Sequence, residues 1–131
     1  MLDFPRDFKE VFFVVIGSIL GSLFRYKLIN FFGVTFQKKY WGTCFVNILS
    51  SFFLGFLFSF TDKSVDLNQY LWLTLFLSVG FLGSLSTFST YILDLFKILQ
   101  NKNLIEFFRL TFYSIFGGLL FILFGYWLGN V

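Results

Sequence analysis

Long apolar blocks dominate the chain, and short polar segments separate them. Four blocks, at about residues 11–32, 41–60, 70–96 and 104–129, are each long enough to cross the hydrocarbon core of a membrane, which takes about 20 residues. Their apolar residues run on without amphipathic spacing, as is typical of membrane-spanning helices. The pattern therefore predicts an all-α integral membrane protein with one transmembrane domain over residues 1–131.

The scarcity of charge supports this interpretation. Charged residues make up 13% of the sequence, whereas soluble domains hold about a quarter. The connectors between the blocks are short and carry most of the charge, so no separate soluble domain is predicted. The leader "MLDFPRDFKE" precedes an apolar run longer than a signal-peptide core, so we expect a retained first helix and no cleavable signal.

The basic residues are distributed unequally between the two sides that four spans define. Three of the ten lie on the side of the termini, and the other seven lie on the side of the first and third loops. The three are Arg6, Lys9 and Lys63, and the seven are Arg25, Lys27, Lys38, Lys39, Lys97, Lys102 and Arg109. The positive-inside rule therefore predicts that the first and third loops face the cytoplasm and that both termini lie outside. The net charge of +3 suits contact with the anionic headgroups of a lipid bilayer and does not indicate nucleic-acid binding.

Several kinds of chemistry lack the residues that they require. The sequence has no histidine and a single cysteine, Cys44, so it predicts neither an internal disulfide nor a transition-metal site. Of the seven acidic residues only Asp94 is expected away from the flanks and loops. A proton-coupled exporter needs an ionisable group deep in the bilayer, which makes that class a poor match. The sequence contains no nucleophile–base pair or phosphate-binding loop, so no enzyme activity is predicted.

The third apolar block contains an unusually polar segment, "GFLGSLSTFSTY", at residues 80–91. Gly80 and Gly83, followed by serines and threonines, predict the end of one half-helix and the capped start of another. Broken helices inside a membrane are tolerated where they line a cavity or bind an ion. Phe88 and Tyr91, at i and i+3, are expected on one face, where the positive edges of their rings can meet a small anion.

Neutral hydrogen-bonding residues also lie inside the second block. Four of them share one face of a helix, namely Thr43, Asn47, Ser50 and Ser51. The Asn47 amide is costly to leave unpaired in hydrocarbon. Two interpretations of Asn47 stay open: a hydrogen bond between helices, or a donor that lines an anion path. Arg25, at the end of the first block, either reaches the lipid headgroups or serves the path.

Small residues indicate close helix packing in the first and fourth blocks. The residues concerned are the pairs Gly17–Gly21 and Ser18–Ser22 and the glycines Gly117, Gly118 and Gly125. The spacing leaves open whether these faces pack within one subunit or between subunits. Since four helices are too few to enclose a wide aqueous pore, we expect an oligomer.

Three segments, taken in order, resemble the Fluc (CrcB) family of fluoride channels over nearly the whole chain. "GSILGSLFRY" (17–26) is similar to the family's glycine-rich first helix, which ends in Arg and an aromatic residue. "GTCFVNILSSFFLG" (42–55) is similar to its second-helix segment. "GFLGSLSTFSTY" is similar to the third-helix signature, whose usual form is Gly-Phe-x-Gly-Gly-x-Thr-Thr-Phe-Ser-Thr-Phe. This last motif is the most specific of the three.

The resemblance implies a dimer of antiparallel subunits with two fluoride pathways and a structural sodium ion at its centre. The backbone carbonyls of Gly83 and Ser86 match the positions that hold this sodium. Arg25 matches the basic residue near the pore vestibule, and Asp94 stands where the family commonly has Glu. The residues implied to line the fluoride pathway are Asn47, Phe88, Ser89, Thr90, Tyr91 and Ser114.

The chain also departs from the family pattern at several positions. Ser84 replaces the second glycine of the signature. Tyr91 replaces the second pore phenylalanine, and its hydroxyl needs a hydrogen-bond partner. Of the polar track in the fourth helix, only Ser114 keeps a hydroxyl, to which Thr111, one turn earlier, can add.

The function that the resemblance implies is passive, fluoride-selective export from the cytoplasm, which lowers fluoride toxicity. The location implied is the cell inner (plasma) membrane, with several spans. The resemblance leaves the partner open, because the family includes homodimers of dual-topology subunits and heterodimers of two chains with fixed, opposite orientations. The alternative function is therefore a weakly conducting or non-conducting subunit that assembles with a paralogous chain. A further alternative is a transporter of another small ion or molecule on the same scaffold.

Overall fold

The computed structural model describes the backbone over residues 4–35, 38–63 and 67–131, and side chains over 8–35, 38–61 and 71–131. The side chains of Arg6 and Lys63, which enter the charge comparison above, lie outside the described part. Across the described backbone every regular element is a helix. In chain order these elements are α1 (Phe4–Thr35), α2 (Lys39–Lys63), α3 (Leu67–Thr74), a π-helical segment (Leu75–Leu82), α4 (Gly83–Leu85), α5 (Phe88–Gln100) and α6 (Leu104–Asn130).

Four stretches of these helices are long and apolar enough to span a membrane. They are Phe8–Thr35, Lys39–Thr61, Leu71–Gln100 and Leu104–Asn130. The third stretch comprises the end of α3, the π-helical segment, α4 and α5, with an interruption before α5. The predicted fold class, four transmembrane helices with a break in the third, is therefore confirmed.

The helices pack as two pairs, which are joined by contacts between α1 and α2. α2 lies along α6, and α1 lies along the π-helical segment and α4. One buried cluster, centred on Cys44, Tyr91 and Leu110, joins α2, α5 and α6. A second, formed by Ile29, Val46, Leu82 and Leu85, joins α1 and α2 to the segment just before the break.

Glycines allow both pairs to come into backbone contact. A Cβ atom on Gly21 of α1 would overlap the Phe81 carbonyl and the Ser84 hydroxyl. A Cβ atom on Gly125 of α6 would likewise overlap the Phe52 carbonyl of α2. The question left open by the sequence is thus answered for these glycines, because the faces they form are used within one chain.

The outer surface of the bundle is largely apolar. Large side chains such as Leu23 on α1 and Phe108 and Leu120 on α6 are more than half exposed. A surface of this kind is stable when lipid tails or another subunit cover it. The exposed apolar surface therefore agrees with a membrane location.

Candidate functional site at the break of the third span

The third span is interrupted at Ser86 and Thr87, which are extended at φ −84°, ψ 136° and φ −136°, ψ 122°. This position corrects the predicted end of the first half-helix at the two glycines, whereas the start of the second half-helix falls at the Ser and Thr residues as predicted. Gly83 is helical at φ −63°, ψ −36°, and a Cβ atom on Gly80 would lie 2.8 Å from the Val14 carbonyl of α1. Gly80 is therefore needed for the approach of α1, and the chain leaves the helix three residues after Gly83.

The start of α5 is held in a different way from the one expected. Thr87 occupies the N-cap position, but its side chain makes no capping hydrogen bond to the backbone. Its hydroxyl instead donates to the Thr90 hydroxyl at 3.1 Å. A hydrogen bond between two neutral side chains thus links the N-cap residue to the first turn of α5. Ser89, which lies between them in the chain, is exposed.

Asn47 connects α2 directly to the break. Its side-chain oxygen accepts a hydrogen bond from the Thr87 backbone N–H at 3.2 Å. The interpretation of Asn47 as a hydrogen-bond link between helices is therefore supported. The link uses only the oxygen of the amide, and among the described residues no hydrogen bond from the Asn47 nitrogen is found. The amide nitrogen can still serve as a donor to an anion.

Arg25 reaches the same break from the opposite side. Its guanidinium donates to the backbone carbonyl of Ser84 at 2.8 Å. The position expected from the resemblance was the pore vestibule, and snorkelling to the headgroups was the alternative. The structure places the guanidinium at the C-terminal end of the first half-helix, where the partial negative charge of the helix end favours a cation.

The two rings of the signature lie near each other but in different environments. The ring centroids of Phe88 and Tyr91 are 6.1 Å apart, with an interplanar angle of 46°. Phe88 is 75% exposed and projects from the chain, whereas Tyr91 is 9% exposed and packs in the cluster with Cys44 and Leu110. The Tyr91 hydroxyl is buried and finds no hydrogen-bond partner among the described residues.

The remaining predicted pathway residue, Ser114 on α6, contacts α2 and not the residues of the break. Its hydroxyl donates to the Cys44 sulfur of α2 at 3.2 Å, so it faces the interior between the two helices. Thr111, one turn earlier, instead bonds the carbonyl of Phe107 in its own helix at 2.8 Å. The Ser114 hydroxyl thus lies between α2 and α6, whereas the Thr111 hydroxyl is tied to its own helix.

Thr43 and Asp94 form a polar pair that the sequence did not bring together. The two side chains are neighbours between α2 and α5, outside hydrogen-bond geometry, and each has a buried oxygen without a partner among the described residues. Each residue stands out in the sequence by itself, Thr43 on a polar helix face and Asp94 as an acidic residue within a span. Their proximity depends on how α5 packs after the break, which no local pattern reports.

Glu106 lies at the flank of the fourth span, as expected of the acids other than Asp94, but its side chain is buried there. It is 6% exposed in the first turn of α6, where its N–H is capped by the Asn103 side chain at 3.2 Å. Its carboxylate accepts hydrogen bonds from four side chains, namely Lys38, Tyr40, Trp41 and Arg109. Hydrogen bonds to the Tyr40 hydroxyl and to this carboxylate raise the pKa of Lys38 above its usual value.

Comparison with known proteins places the chain in a family. The family model described as "CrcB-like protein, Camphor Resistance (CrcB)" matches residues 12–126. "Fluoride-specific ion channel FluC 1" of Parasynechococcus marenigrum (strain WH8102) is 38% identical over 92% of this chain and 93% of its own length. "Fluoride-specific ion channel FluC" of Aquifex aeolicus (strain VF5) is 34% identical over 92% of this chain and 96% of its own. The chain therefore belongs to the CrcB family.

Proposed function

We propose that this chain forms a fluoride-selective ion channel that lets fluoride leave the cytoplasm passively. One observation carries the proposal beyond family membership: Asn47 meets the broken third span beside the Phe88–Tyr91 ring pair. An amide donor, hydroxyls and ring edges can replace part of the hydration shell of a small anion. The chain is a multi-pass protein of the bacterial plasma membrane.

The neutrality of these groups suits conduction. Conduction needs an ion that enters and also leaves readily, and contacts with uncharged groups bind an anion weakly enough for it to leave. At the break the guanidinium of Arg25 is engaged by the Ser84 carbonyl. The side chains expected to line the path carry no charge and offer an anion only dipoles and ring edges. They are Asn47, Phe88, Ser89, Thr90 and Tyr91.

The proposal includes an antiparallel dimer, for which the exposed groups at the break give support. Gly83, Phe88 and Ser89 are all exposed in the single chain, and a Cβ atom on Gly83 would have no neighbour closer than Ser78 O at 3.5 Å. Polar backbone exposed inside a membrane must be covered by protein or line a cavity. A second subunit on this face would cover the break and complete two pathways.

The same face fits the structural sodium ion that the family implies. The residues that would hold it are Gly83 and Ser86, through their backbone carbonyls. The break takes the Thr87 N–H away from the Gly83 carbonyl, because that N–H donates to Asn47. Unwound backbone carbonyls are the groups that bind sodium in broken membrane helices. A bound sodium would supply a fixed positive charge that holds oxygen atoms of the break together.

Fluoride efflux from liposomes that contain only this chain tests the proposed function. We expect efflux of fluoride, followed with a fluoride-selective electrode, and much slower efflux of chloride from matched vesicles. Efflux that requires a paralogous chain would instead assign this protein the role of a partner subunit. Equal efflux of chloride and fluoride would contradict fluoride selectivity.

A further inference from the structure

The Thr87 N–H and the Ser84 carbonyl are among the backbone groups that the break in the third span leaves without their helical partners. In an unbroken α-helix, the Thr87 N–H would donate to the Gly83 carbonyl, and the Ser84 carbonyl would accept from the Phe88 N–H. The extended conformation of Ser86 and Thr87 prevents both bonds. The last regular bond before the break is the one from the Ser86 N–H to the Leu82 carbonyl, at 3.1 Å.

Two side chains from two other helices take the places of these partners. Arg25 of α1 donates to the Ser84 carbonyl at 2.8 Å. Asn47 of α2 accepts from the Thr87 N–H at 3.2 Å. Each bond crosses between spans, so the break is anchored on both sides by groups outside the third span.

The chemistry of each side chain matches the half-helix end that it meets. The guanidinium of Arg25 meets a carbonyl at a C-terminal end, which carries partial negative charge. The amide oxygen of Asn47 meets an N–H at the start of α5, which carries partial positive charge. Gly21, one turn before Arg25, lets α1 approach Phe81 and Ser84 closely enough for the guanidinium to reach.

We infer that Arg25 and Asn47 are positioning residues that hold the break open by giving the Ser84 carbonyl and the Thr87 N–H hydrogen-bond partners in place of their helical ones. Because the Thr87 N–H fixes the amide oxygen of Asn47, the NH₂ group is the half that remains for an anion. Asn47 therefore has two separable tasks: its oxygen orients α5, and its nitrogen contacts fluoride. The second task rests on the proposed function, and the first does not.

Amide hydrogen exchange of the full chain in lipid nanodiscs, resolved by NMR, tests the role of Asn47. Asn47→Leu removes the acceptor, and we expect the Thr87 amide to exchange about tenfold faster or more. Asn47→Asp keeps an oxygen acceptor, so Thr87 should exchange at the wild-type rate. In liposomes, however, the same Asn47→Asp variant should lose about tenfold or more of the fluoride efflux. Wild-type exchange at Thr87 in Asn47→Leu would overturn the inference.

The same measurement at Ser86 tests Arg25. Arg25→Leu removes the cation from the Ser84 carbonyl, so the last turn of the first half-helix should fray and the Ser86 amide should exchange about tenfold faster. Arg25→Lys retains a cationic donor and should restore part of this protection. Lys27→Leu, an exposed cation two residues further along α1, is the matched control and should leave the exchange of Ser86 unchanged. Equal effects of Arg25→Leu and Lys27→Leu would contradict a specific role for Arg25.

The two measurements, amide hydrogen exchange and fluoride efflux, separate this inference from the proposed function. If the wild-type chain conducts no fluoride, the proposed function fails, while the exchange rates of Thr87 and Ser86 still decide whether the break is held as described. If Asn47→Leu does not fold, the comparison of Asn47→Asp with wild type remains. Faster exchange at Thr87 in Asn47→Asp would overturn the division of tasks within the amide.

Discussion

Single residues at the break owe their roles to how the neighbouring helices pack. The sequence places Phe88 and Tyr91 on one helical face, and the structure does bring their rings to 6.1 Å. The sequence alone does not show that Phe88 is exposed while Tyr91 is buried against Cys44 and Leu110. The burial of Tyr91 depends on where α2 and α6 lie. The hydroxyl that distinguishes Tyr91 from phenylalanine consequently ends in an apolar cluster without a partner among the described residues.

Replacing Tyr91 by phenylalanine should therefore stabilise the protein. A buried, unsatisfied hydroxyl costs about 1–3 kcal/mol, and Tyr91→Phe removes it while keeping the ring. We expect a higher midpoint of thermal unfolding in detergent and fluoride efflux no lower than that of the wild type. Tyr113→Phe, at a half-exposed tyrosine of α6, is the control and should change neither quantity. A destabilised Tyr91→Phe variant would mean that the hydroxyl has a partner in the assembled protein.

Replacing Phe88 by isoleucine tests the ring edge itself. Isoleucine keeps an apolar side chain but lacks a ring. If the ring edge holds the anion about as strongly as it holds another aromatic ring, the change removes about 0.5–1.5 kcal/mol. Fluoride efflux from liposomes should fall by a factor of about 2 to 13, with assembly unchanged in size-exclusion chromatography. Phe96→Ile, at an exposed position on the same helix, provides the comparison. Similar losses in both variants would argue against a specific role of the Phe88 ring.

Whole elements were predicted better than the details of their contacts. The four spans follow from the apolar blocks, and the break follows from the polar, glycine-rich segment in the third. The first half-helix was nevertheless expected to end at the glycines, whereas Gly80 serves the crossing with α1 and the helix continues to the interruption at Ser86 and Thr87. A glycine fits a turn and a close approach equally well, and only the position of α1 decides between them.

The crossing of α1 with the third span should be sensitive to a single methyl group. In Gly21→Ala the added Cβ would overlap the Phe81 carbonyl and the Ser84 hydroxyl, which forces the helices apart at a cost of about 1–3 kcal/mol. We expect a lower thermal unfolding midpoint and reduced fluoride efflux. At Gly118 of α6 the nearest atom to an added Cβ would be Ser51 Oγ at 3.6 Å. Gly118→Ala should accordingly be neutral or slightly stabilising, and a matching loss there would contradict the close-contact argument.

The start of α2 is joined to the start of α6 through one carboxylate, that of Glu106. It accepts from Tyr40 at 2.7 Å and Trp41 at 3.2 Å, and pairs with Lys38 at 3.3 Å. Glu106→Gln keeps the shape but removes the charge and turns an acceptor into a donor. It should lower the free energy of unfolding by about 1–3 kcal/mol, measured by denaturation in detergent. Glu10→Gln on α1 makes the same chemical change, and an equal effect there would rule out this role of Glu106.

At the scale of the whole molecule, the predicted orientation of the chain in the membrane rests on its charge distribution. Seven of its ten basic residues lie beside the first and third loops. This imbalance bears on assembly. An antiparallel homodimer needs copies of the chain in both orientations, and a strong bias towards one orientation works against it. The sequence indicates the bias in orientation. It leaves the choice of partner open, since equivalent interfaces can form between two copies of this chain or between this chain and a paralogue.

Neutralising exposed lysines should change the orientation of the chain. The C-terminus of the wild type, fused to reporters active on only one side of the membrane, should lie mostly outside. Replacing Lys39, Lys97 and Lys102 by glutamine should increase the share of cytoplasmic C-termini, because it removes most of the imbalance between the two sides. The same three positions changed to arginine should behave like the wild type. An orientation that ignores the glutamine changes would show that another determinant fixes it. If the wild type inserts one way only, the proposed antiparallel dimer would need a different chain as its second subunit, and we would then expect liposomes with this chain alone to release no fluoride.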